Sequence, residues 1–391
     1  MKNALRNTQF DAEDEAQVLD TIERWVAREL KPIVREYDHA DRYPTQVVEQ
    51  MKDLGLFGAT INPEYGGLGL SAGTYAKIVM SISSVWMSIT GIINSHLMLA
   101  LAIEKYGTPE QKAKWLPKIA SGEIRGGLAL TEADAGTDLQ GIRTTARRDG
   151  DHYVINGTKM WITNGAEGSC FAMLVKTDPD AQPRYKGMSL FIAPKMEGFT
   201  VGRKLEKLGY KSIDTVEMVF DDYRVPADHL IGGVEGQGFF QTTGGLELGR
   251  INVASRGVGI AEGALKLAAD YAQTRKTFGK PICEHQAIQL KLGEMATRAR
   301  AARLLTLDAA AAFDRGERCD MEAGMAKYFS SEAALENAIE GMRIHGAYGY
   351  SKEYDIERLY RDAPLTCIGE GTNEMQRIII AKQLIKRNPA A

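Results

Sequence analysis

Residues 149–165 read DGDHYVINGTKMWITNG, a stretch that places a β region in the middle of the chain. Its dipeptides Asp149-Gly150, Asn156-Gly157 and Asn164-Gly165 favour tight hairpin turns. Short apolar runs lie between these turns and continue beyond them. We therefore predict a β domain over residues 126–235. Its strands are predicted at 152–155, 159–163, 171–175, 188–192 and 216–220.

The chain is predicted to be helical on both sides of this β domain. Apolar residues between Val18 and Ile33 recur at spacings of three and four, as on one face of a helix. Thr108-Pro109-Glu110-Gln111 resembles a helix N-terminus, because Thr can cap, Pro suits the first turn and Gln can reach back to the cap. The predicted domains are an N-terminal helical domain at 1–125, the β domain, and a C-terminal helical domain at 236–391. Breaks between the C-terminal helices are predicted near 276–282, 345–351 and 364–372.

The composition is that of a globular protein. The 391 residues include 48 Lys plus Arg against 51 Asp plus Glu, a net charge of −3, which argues against nucleic acid as a partner. Hydrophobic residues make up 44% and charged residues 25%, which excludes intrinsic disorder. No CxxC pair occurs among the cysteines, so neither a metal site nor a redox dithiol is predicted. The four cysteines are Cys170, Cys283, Cys319 and Cys367.

Targeting signals are not evident in the sequence. The first residues, MKNALRNT, are not followed by the apolar stretch of a secretory signal, so a cytoplasmic protein with reduced thiols is expected. Residues 78–103 contain no Asp, Glu, Lys or Arg and are long enough to span a membrane. Their Ser, Thr, Asn and His residues would be costly in hydrocarbon. We interpret the segment as a buried helix or helix pair and expect no membrane span.

Familiar nucleotide-binding motifs do not fit this chain. The G-x-x-x-x-G-K-[ST] pattern of a P-loop does not occur. Residues 232–238, GGVEGQG, are rich in glycine but lie where the β domain passes into helices, outside the βαβ setting of a dinucleotide fingerprint. A flexible linker is the favoured interpretation of this segment.

Four segments, far apart in the chain, carry a family resemblance. They are LALTE with AGTD (128–132 and 135–138), KMWITNG (159–165), RKTFGKP with HQ (275–281 and 285–286), and ERLYRD leading to EGTNE (357–362 and 370–374). In this order and spacing the chain resembles the acyl-CoA dehydrogenase family of flavoenzymes over essentially its whole length. The resemblance implies an N-terminal helical domain, a middle β-barrel or sandwich domain and a C-terminal four-helix bundle. It also implies a homotetramer with one FAD per subunit.

By this resemblance, the first two segments face the flavin. Residues 128, 130 and 131 would bond the edge of the isoalloxazine, residues 136 and 137 would approach the pyrophosphate and the thioester chain, and residues 161–163 would cover the ring. Taken alone, the tryptophan could equally be a core aromatic in a strand. The residues implied are Leu128, Leu130, Thr131, Gly136, Thr137, Trp161, Ile162 and Thr163.

A second group of implied FAD residues lies in the C-terminal part. Arg275 and Phe278 would reach the FAD of a neighbouring subunit, where Arg275 would bind the pyrophosphate. His285 would contact the adenine end of the FAD. Without the motif, these would be a solvated arginine and an ordinary histidine. The family often has a Gln followed by a Gly-Gly pair in this region. This chain has Arg343 in place of the Gln, and Gly346 is followed by Ala. The missing second glycine puts in doubt the close approach of the backbone to the cofactor. Two further implied FAD residues are Thr372 and Glu374, the latter standing where Gln is common.

Glu370 is the predicted catalytic base. Removing a proton α to a thioester carbonyl requires a positioned carboxylate, and Glu370 lies in the glycine-rich stretch CIGEGT at the position of the catalytic Glu in most of the family. The alternative is that Glu370 caps the helix beginning near Asn373. A minority of the family places its base directly before an Arg on another helix. The corresponding residues here are Gly249 and Arg250, so Glu370 is favoured.

The acyl-CoA path is implied to involve Thr137, Leu246, Arg250 and Gly371. The alternative for Arg250 is a surface ion pair with Glu247, three residues earlier.

Gly369 is relevant to the shape of the acyl group that the site accepts. Family members acting on straight chains commonly have Tyr before the base, and Gly369 removes that ring, which favours an α-branched or cyclic acyl group. The alternative is that Gly369 only eases the backbone of the loop. A distal carboxylate is disfavoured because residues 78–103 offer no cation to pair with it.

The predicted activity is FAD-dependent α,β-dehydrogenation of an acyl-CoA to a trans-2-enoyl-CoA, with an electron-transferring flavoprotein as acceptor. The alternatives are an acyl-CoA oxidase that uses O₂, a flavin monooxygenase, and a family member that binds acyl-CoA without turnover. Retention of Glu370 argues against the monooxygenase, and the compact length argues against the oxidase.

Overall fold

The computed structural model describes residues 12–390. The N-terminal part is helical, as predicted, and its first helix continues into a π-helical turn at Val26–Leu30. The capping box at Thr108 is present, with the Thr108 side chain accepting from the Gln111 N–H and the Gln111 side chain accepting from the Thr108 N–H. The helices are α1 (Ala12–Trp25), α2 (Val34–Ala40), α3 (Thr45–Asp53), α4 (Ala72–Tyr106) and α5 (Pro109–Ala120).

Helix α4 is the central element of the N-terminal part. Trp86 interrupts it with φ −144° and ψ 85°, so it consists of two helical pieces, as the sequence predicted for residues 78–103. Within the described residues, it is the one helix long and apolar enough to cross a membrane, and 78% of its most apolar window is buried inside the protein. That burial is typical of a core helix.

The middle part is a curled seven-stranded sheet with the order β1-β4-β2-β3-β7-β6, and β5 pairs with β4. Along β4, Phe171, Met173 and Val175 lie in the core of the sheet, whereas Cys170 and Leu174 pack into the helical core. Because side chains alternate along a strand, β4 joins the two cores. The strands are β1 (Gly126–Ala129), β2 (Thr145–Asp149), β3 (His152–Thr163), β4 (Cys170–Lys176), β5 (Met188–Pro194), β6 (Phe199–Lys204) and β7 (Thr215–Pro226).

One predicted turn is wrong. Asn156-Gly157 lies inside the continuous strand β3, where the pairing with β7 shifts register between Ile155 and Gly157. Gly157 has φ +144°, and a Cβ there would lie 2.6 Å from Thr144 Oγ1, so the glycine serves a bulge with a close contact. The other two dipeptides do end strands: Asp149-Gly150 joins β2 to β3, and Asn164, with φ +62°, follows β3.

The C-terminal part is helical. Helix α7 packs closely on both α4 and α9, since a Cβ at Gly259 would lie 2.6 Å from Met80 O and one at Gly257 would lie 2.6 Å from Ser330 O. The break predicted at 364–372 is shorter, because α10 continues through Pro364 to Ile368. The elements are α6 (Gly238–Thr243), α7 (Leu246–Thr274), β8 (Lys276–Thr277), β9 (Lys280–Pro281), α8 (Gln286–Asp314), α9 (Asp320–His345), α10 (Ile356–Ile368) and α11 (Asn373–Arg387).

The glycine-rich segment 232–238 is packed against β5. The Gly236 N–H donates to Ser189 Oγ over 3.0 Å. A Cβ at Gly238 would lie 2.4 Å from the main-chain carbon of Ser189. The segment connects the sheet to the C-terminal helices. The close contacts of Gly236 and Gly238 argue against a flexible linker at its C-terminal end, whereas a Cβ at Gly233 would meet nothing within 4 Å.

Candidate active site

Glu370 lies in a four-residue loop, residues 369–372, between α10 and α11. Its φ is +56°, a left-handed conformation that costs a non-glycine residue free energy. Gln376 Nε2 supports the loop by donating to the main-chain carbonyls of Gly371 at 3.0 Å and of Glu370 at 3.4 Å. The N-cap of α11 is Thr372, whose side chain accepts from the Met375 N–H. The alternative interpretation of Glu370 as the cap is therefore wrong.

The Glu370 carboxylate lies between α4 and α7. Asn94 Nδ2, on α4, donates to its Oε1 over 3.3 Å. On the α7 side, a Cβ at Gly249 would lie 2.9 Å from its Oε2 and 3.6 Å from Met98 Sδ. The absence of a side chain at Gly249 thus provides the space that the carboxylate occupies.

The segment predicted to face the flavin packs against a neighbouring face of α4. The residue after Asn94, Ser95, packs against β1, since its Cβ would be 3.2 Å from a Cβ at Gly127. Gly127 directly precedes Leu128. One turn of α4 therefore contacts Glu370 through Asn94 and the start of the predicted flavin-binding segment through Ser95.

A buried ion pair holds this segment against β3. Lys159 Nζ donates to Leu130 O over 3.0 Å and to Glu132 Oε1 over 2.8 Å. Burial lowers the pKa of Lys159 to about 8, although the charge of Glu132 acts in the opposite direction. Glu132 also accepts from Thr144 Oγ1 at 2.6 Å and from the Arg143 N–H at 2.6 Å. Both members of the pair lie in the motifs quoted above, but sequence reasoning gave them no role.

Trp161 is exposed, so its interpretation as a core aromatic is wrong. Its side chain is 57% accessible and its φ is +64°. It lines a cleft of about 480 Å³ together with Met160 and residues 203–206. Its neighbours in the motif are held in the sheet, Ile162 opposite Val216 and Thr163 opposite Thr215.

The exposed residues of these two segments fit a large planar cofactor. An exposed aromatic ring can stack on a flat ring system. Gly136 and Thr137 are exposed, and a Cβ at Gly136 would meet only Thr131 Cγ2, at 3.8 Å. The Thr131 carbonyl accepts from the Met160 N–H over 2.8 Å, which fixes the two segments together. The side chain of Ile162 is buried in the core of the sheet and does not contribute to this surface.

The second group of predicted FAD residues forms a separate exposed cluster. Phe278, at the tip of the β8–β9 hairpin, is 96% exposed with φ +50°. The Arg275 guanidinium lies 5.7 Å from the ring centroid of Tyr348. His285 Nε2 is 3.0 Å from Thr277 Oγ1. An aromatic side chain held out at a rigid hairpin tip is suited to a contact outside its own subunit.

The remaining predicted residues of this region are also exposed. Arg343 pairs with Glu340 at 2.6 Å. Gly346, the C-cap of α9, has φ +62° and open space where a Cβ would stand. Glu374 pairs with Arg377 at 3.1 Å. The FAD contacts of these three residues stay predictions.

Arg250 is buried, which contradicts the alternative of a surface ion pair with Glu247. Its nearest paired carboxylate is Asp320, with Nη1 3.7 Å from Oδ1. Burial lowers its pKa, opposed by the charges of Asp320, Glu247 and Glu370. Among the described residues, its Nε and Nη1 have no hydrogen-bond partner. Such donors are costly when unsatisfied and favour a polar ligand on the predicted acyl-CoA path. Leu246 lies one turn earlier, at the start of α7.

Gly369 does not need to be glycine for its backbone. Its φ is −68° and its ψ 155°, which any residue adopts. A Cβ there would meet only Leu365 O, at 3.4 Å. The alternative that Gly369 eases the loop backbone is therefore wrong, and the missing side chain leaves space before the base.

Comparisons with known proteins agree with this architecture. Three family models match the chain: the acyl-CoA dehydrogenase N-terminal domain at residues 12–123, the middle domain at 127–223 and the C-terminal domain at 236–385. A Bacillus subtilis (strain 168) protein described as acyl-CoA dehydrogenase is 40% identical, covering 95% of this chain and 98% of its own.

Solved structures give the same result. Butyryl-CoA dehydrogenase from Megasphaera elsdenii has a TM-score of 0.92 and 35% identity, covering 96% of this chain and 100% of its own. A chain from a structure described as the electron transferring flavoprotein of Acidaminococcus fermentans has a TM-score of 0.93 and 37% identity, covering 97% of this chain and 99% of that one. The protein belongs to the acyl-CoA dehydrogenase family, and the predicted three-part fold is confirmed.

Proposed function

We propose that this acyl-CoA dehydrogenase binds FAD along residues 128–137 and 161–163 and uses Glu370 as its base. The observation that carries the proposal is the Glu370 carboxylate, held by Asn94 on the turn of α4 whose next residue, Ser95, packs against Gly127. A proton acceptor and a surface for a planar cofactor are thereby brought to one helix. The substrate α-carbon would lie beside the carboxylate.

The reaction balances with these parts. Glu370 takes the α proton, the β hydrogen leaves with its electron pair, and the carbon–carbon double bond of a trans-2-enoyl-CoA forms. FAD, when bound, accepts the hydride. The Glu370 N–H would donate to the thioester oxygen and stabilise the charge that develops there. The buried donors of Arg250 would hold polar groups farther along the thioester chain.

We propose a short acyl group as substrate, with room for an α-branch or a ring. The support is the missing side chain at Gly369, where little stands in place of a Cβ. The similarity to a structure named butyryl-CoA dehydrogenase favours a short chain. A distal carboxylate is disfavoured, since α4 carries no cation between residues 78 and 103.

We further propose that the protein is a cytoplasmic homotetramer whose electrons pass to an electron-transferring flavoprotein. The exposed Phe278 and Arg275 support contact with a neighbouring subunit. The similarity to a chain from an electron transferring flavoprotein structure supports that acceptor.

The test is anaerobic reduction of the purified, FAD-reconstituted protein. Butanoyl-, octanoyl-, 2-methylbutanoyl- and cyclohexanecarboxyl-CoA are added separately, bleaching of the flavin is followed, and the products are identified. Bleaching with formation of 2-enoyl-CoA is expected. A protein that stays colourless after reconstitution with FAD contradicts the cofactor assignment, and binding without bleaching points to a non-catalytic binder. Faster turnover in air than with an electron-transferring flavoprotein points to an oxidase.

A further inference from the structure

A buried lysine on α9 spans the loop that carries Glu370. Lys327 has no exposed surface. Its Nζ donates to Cys367 O over 3.0 Å and to Asn373 Oδ1 over 2.9 Å. Cys367 is in the last turn of α10 and Asn373 is the first residue of α11. One ammonium group therefore fixes both ends of the loop.

Asn373 is itself held by the next turn of α9. Ser331 Oγ donates to Asn373 Oδ1 over 3.0 Å and to Lys327 O over 2.7 Å. Asn373 Nδ2 donates to Glu332 Oε1 over 2.7 Å. Because Asn373 is bonded to three side chains of α9, the start of α11 is fixed relative to that helix. The loop can then hold Glu370 in its left-handed conformation.

The charge of Lys327 also acts on this region. Burial lowers the pKa of Lys327 to about 8, opposed by negative charge at Cys367, Glu370, Glu374 and Glu332. An ammonium with that pKa is mostly charged at pH 7. Burying a charge is costly, and an apolar residue of similar size could join the same helices at lower cost. The retained charge therefore calls for an explanation beyond helix packing.

We propose that Lys327 is a positioning residue for Glu370, which fixes the loop at both ends through Cys367 and Asn373. The inference rests on the proposed function, in which Glu370 is the base. It assigns no contact between Lys327 and the substrate.

The test separates the hydrogen bonds from the charge in the FAD-loaded enzyme. Lys327→Met removes both, whereas Lys327→Gln keeps a donor without charge. Ser330→Ala is the matched control, because Ser330 is buried on the same helix but bonds to Thr306 and Ala302 O on α8. The readouts are kcat, the pH–rate profile, acyl-CoA affinity, and exchange of the α-hydrogens of acetyl-CoA, which has no β-hydrogen, with D₂O.

We expect Lys327→Met to lower kcat and α-hydrogen exchange together, by about 10- to 100-fold, since a displaced base loses alignment. Acyl-CoA affinity should change little. Lys327→Gln should recover part of the rate, and Ser330→Ala should match the wild type.

Two results would overturn the inference. One is a Lys327→Met enzyme with kcat and α-hydrogen exchange within twofold of wild type. The other applies if that variant does not fold: a Lys327→Gln enzyme with wild-type kcat and wild-type exchange rejects the proposal. The Glu370→Gln variant distinguishes a failure of the proposed function from a failure of the role of Lys327. If it retains exchange, the proposed function itself fails; if it abolishes exchange while the Lys327 variants behave as wild type, only the role of Lys327 fails.

Discussion

At the scale of single residues, the site depends on one strained conformation. A glutamate at φ +56° costs roughly 1–3 kcal/mol relative to an ordinary backbone. Gln376, Asn94 and the caps around the loop hold it there. On its C-terminal side, Gly371 allows a close approach, since a Cβ there would lie 2.8 Å from Gln376 Nε2. The strain is thus confined to the residue whose carboxylate must point between α4 and α7.

Replacing Glu370 by Gln should remove the base and keep the shape. We expect kcat to fall by orders of magnitude while thioester binding survives, because only proton transfer is lost. Stopped-flow reduction and a binding titration measure the two effects. Glu353→Gln, which changes an exposed glutamate in the loop before α10, serves as the control. A variant that keeps more than about a tenth of the wild-type rate would place the base elsewhere.

Gly369→Tyr tests the acyl pocket. The backbone of residue 369 accepts a side chain, so a folded protein is expected. The ring should fill space beside the reacting carbons and lower kcat/KM for 2-methylbutanoyl- and cyclohexanecarboxyl-CoA more than for butanoyl-CoA. Gly369→Ala is the control and should retain the wild-type preference. A wild-type preference for linear chains that persists in Gly369→Tyr would show that this glycine does not set specificity.

A site residue can be predicted from the sequence when the residues that mark it are its neighbours in the chain. Glu370 could be predicted because its glycine-rich surroundings are contiguous with it. Lys327 could not, because a lysine in a helix is usually solvated, and its burial arises only when α9, α10 and α11 pack together. The alternative of a surface pair between Arg250 and Glu247 was wrong for the same reason: the spacing along the helix allows the pair, whereas packing buries Arg250 beside Asp320.

At the scale of elements, strands β1 and β3 form the base of the predicted flavin surface. Turn chemistry predicted two of the three strand ends around β3, but Asn156-Gly157 could equally form a turn or a bulge. The pairing of β3 with β7 and the close approach of Thr144 determine that a bulge forms here and not a turn. Neither interaction is local in sequence.

Lys159→Met should weaken both this surface and the fold. Removing one partner of a buried pair costs roughly 3–5 kcal/mol, because the carboxylate of Glu132 loses its counter-charge. We expect faster FAD release, seen as flavin fluorescence, and a lower free energy of unfolding in urea. The double variant Lys159→Met/Glu132→Gln should be more stable than the sum of the single changes predicts. Strict additivity would contradict a coupled pair.

At the scale of the whole molecule, the three parts meet around the start of the loop-bearing helix α10. Asp362 accepts from the Tyr210 N–H of the sheet domain over 2.6 Å. The adjacent Arg361 pairs with Asp38 of α2 at 2.5 Å and with Glu357 at 2.6 Å. The helix that leads into Glu370 is therefore anchored to both other domains, and domain movement is restrained at the site.

Replacing Asp362 by Asn should change how the free energy of unfolding depends on pH. Burial, and then the charge of Asp38, raise the pKa of Asp362 from 3.8 to about 6. Between these values the folded chain holds a proton that the unfolded chain releases, so this residue lowers stability as pH rises from about 4 to 6. Asn keeps the acceptor and does not titrate. The free energy of unfolding of Asp362→Asn minus that of the wild type should therefore increase as pH rises over that range, by at most about 3 kcal/mol. A pH-independent difference in urea unfolding would reject the prediction.

Arg275→Ala tests the proposed contact between subunits. We expect weaker FAD retention on gel filtration, since a guanidinium that pairs with a pyrophosphate is lost. Arg28→Ala, at an exposed position of the π-helical turn, is the control. Sedimentation of the wild-type protein as a stable monomer that retains FAD would contradict the contact.

The close approach of Gly249 to Glu370 means that a side chain at 249 and the carboxylate at 370 compete for one space. A single added carbon at 249 would lie 2.9 Å from Glu370 Oε2, the end of a flexible side chain, so Glu370 would have to turn away from its present place. A carboxylate introduced at 249 would also repel that of Glu370. Which side chain the chain can carry at 249 therefore depends on which residue stands at 370.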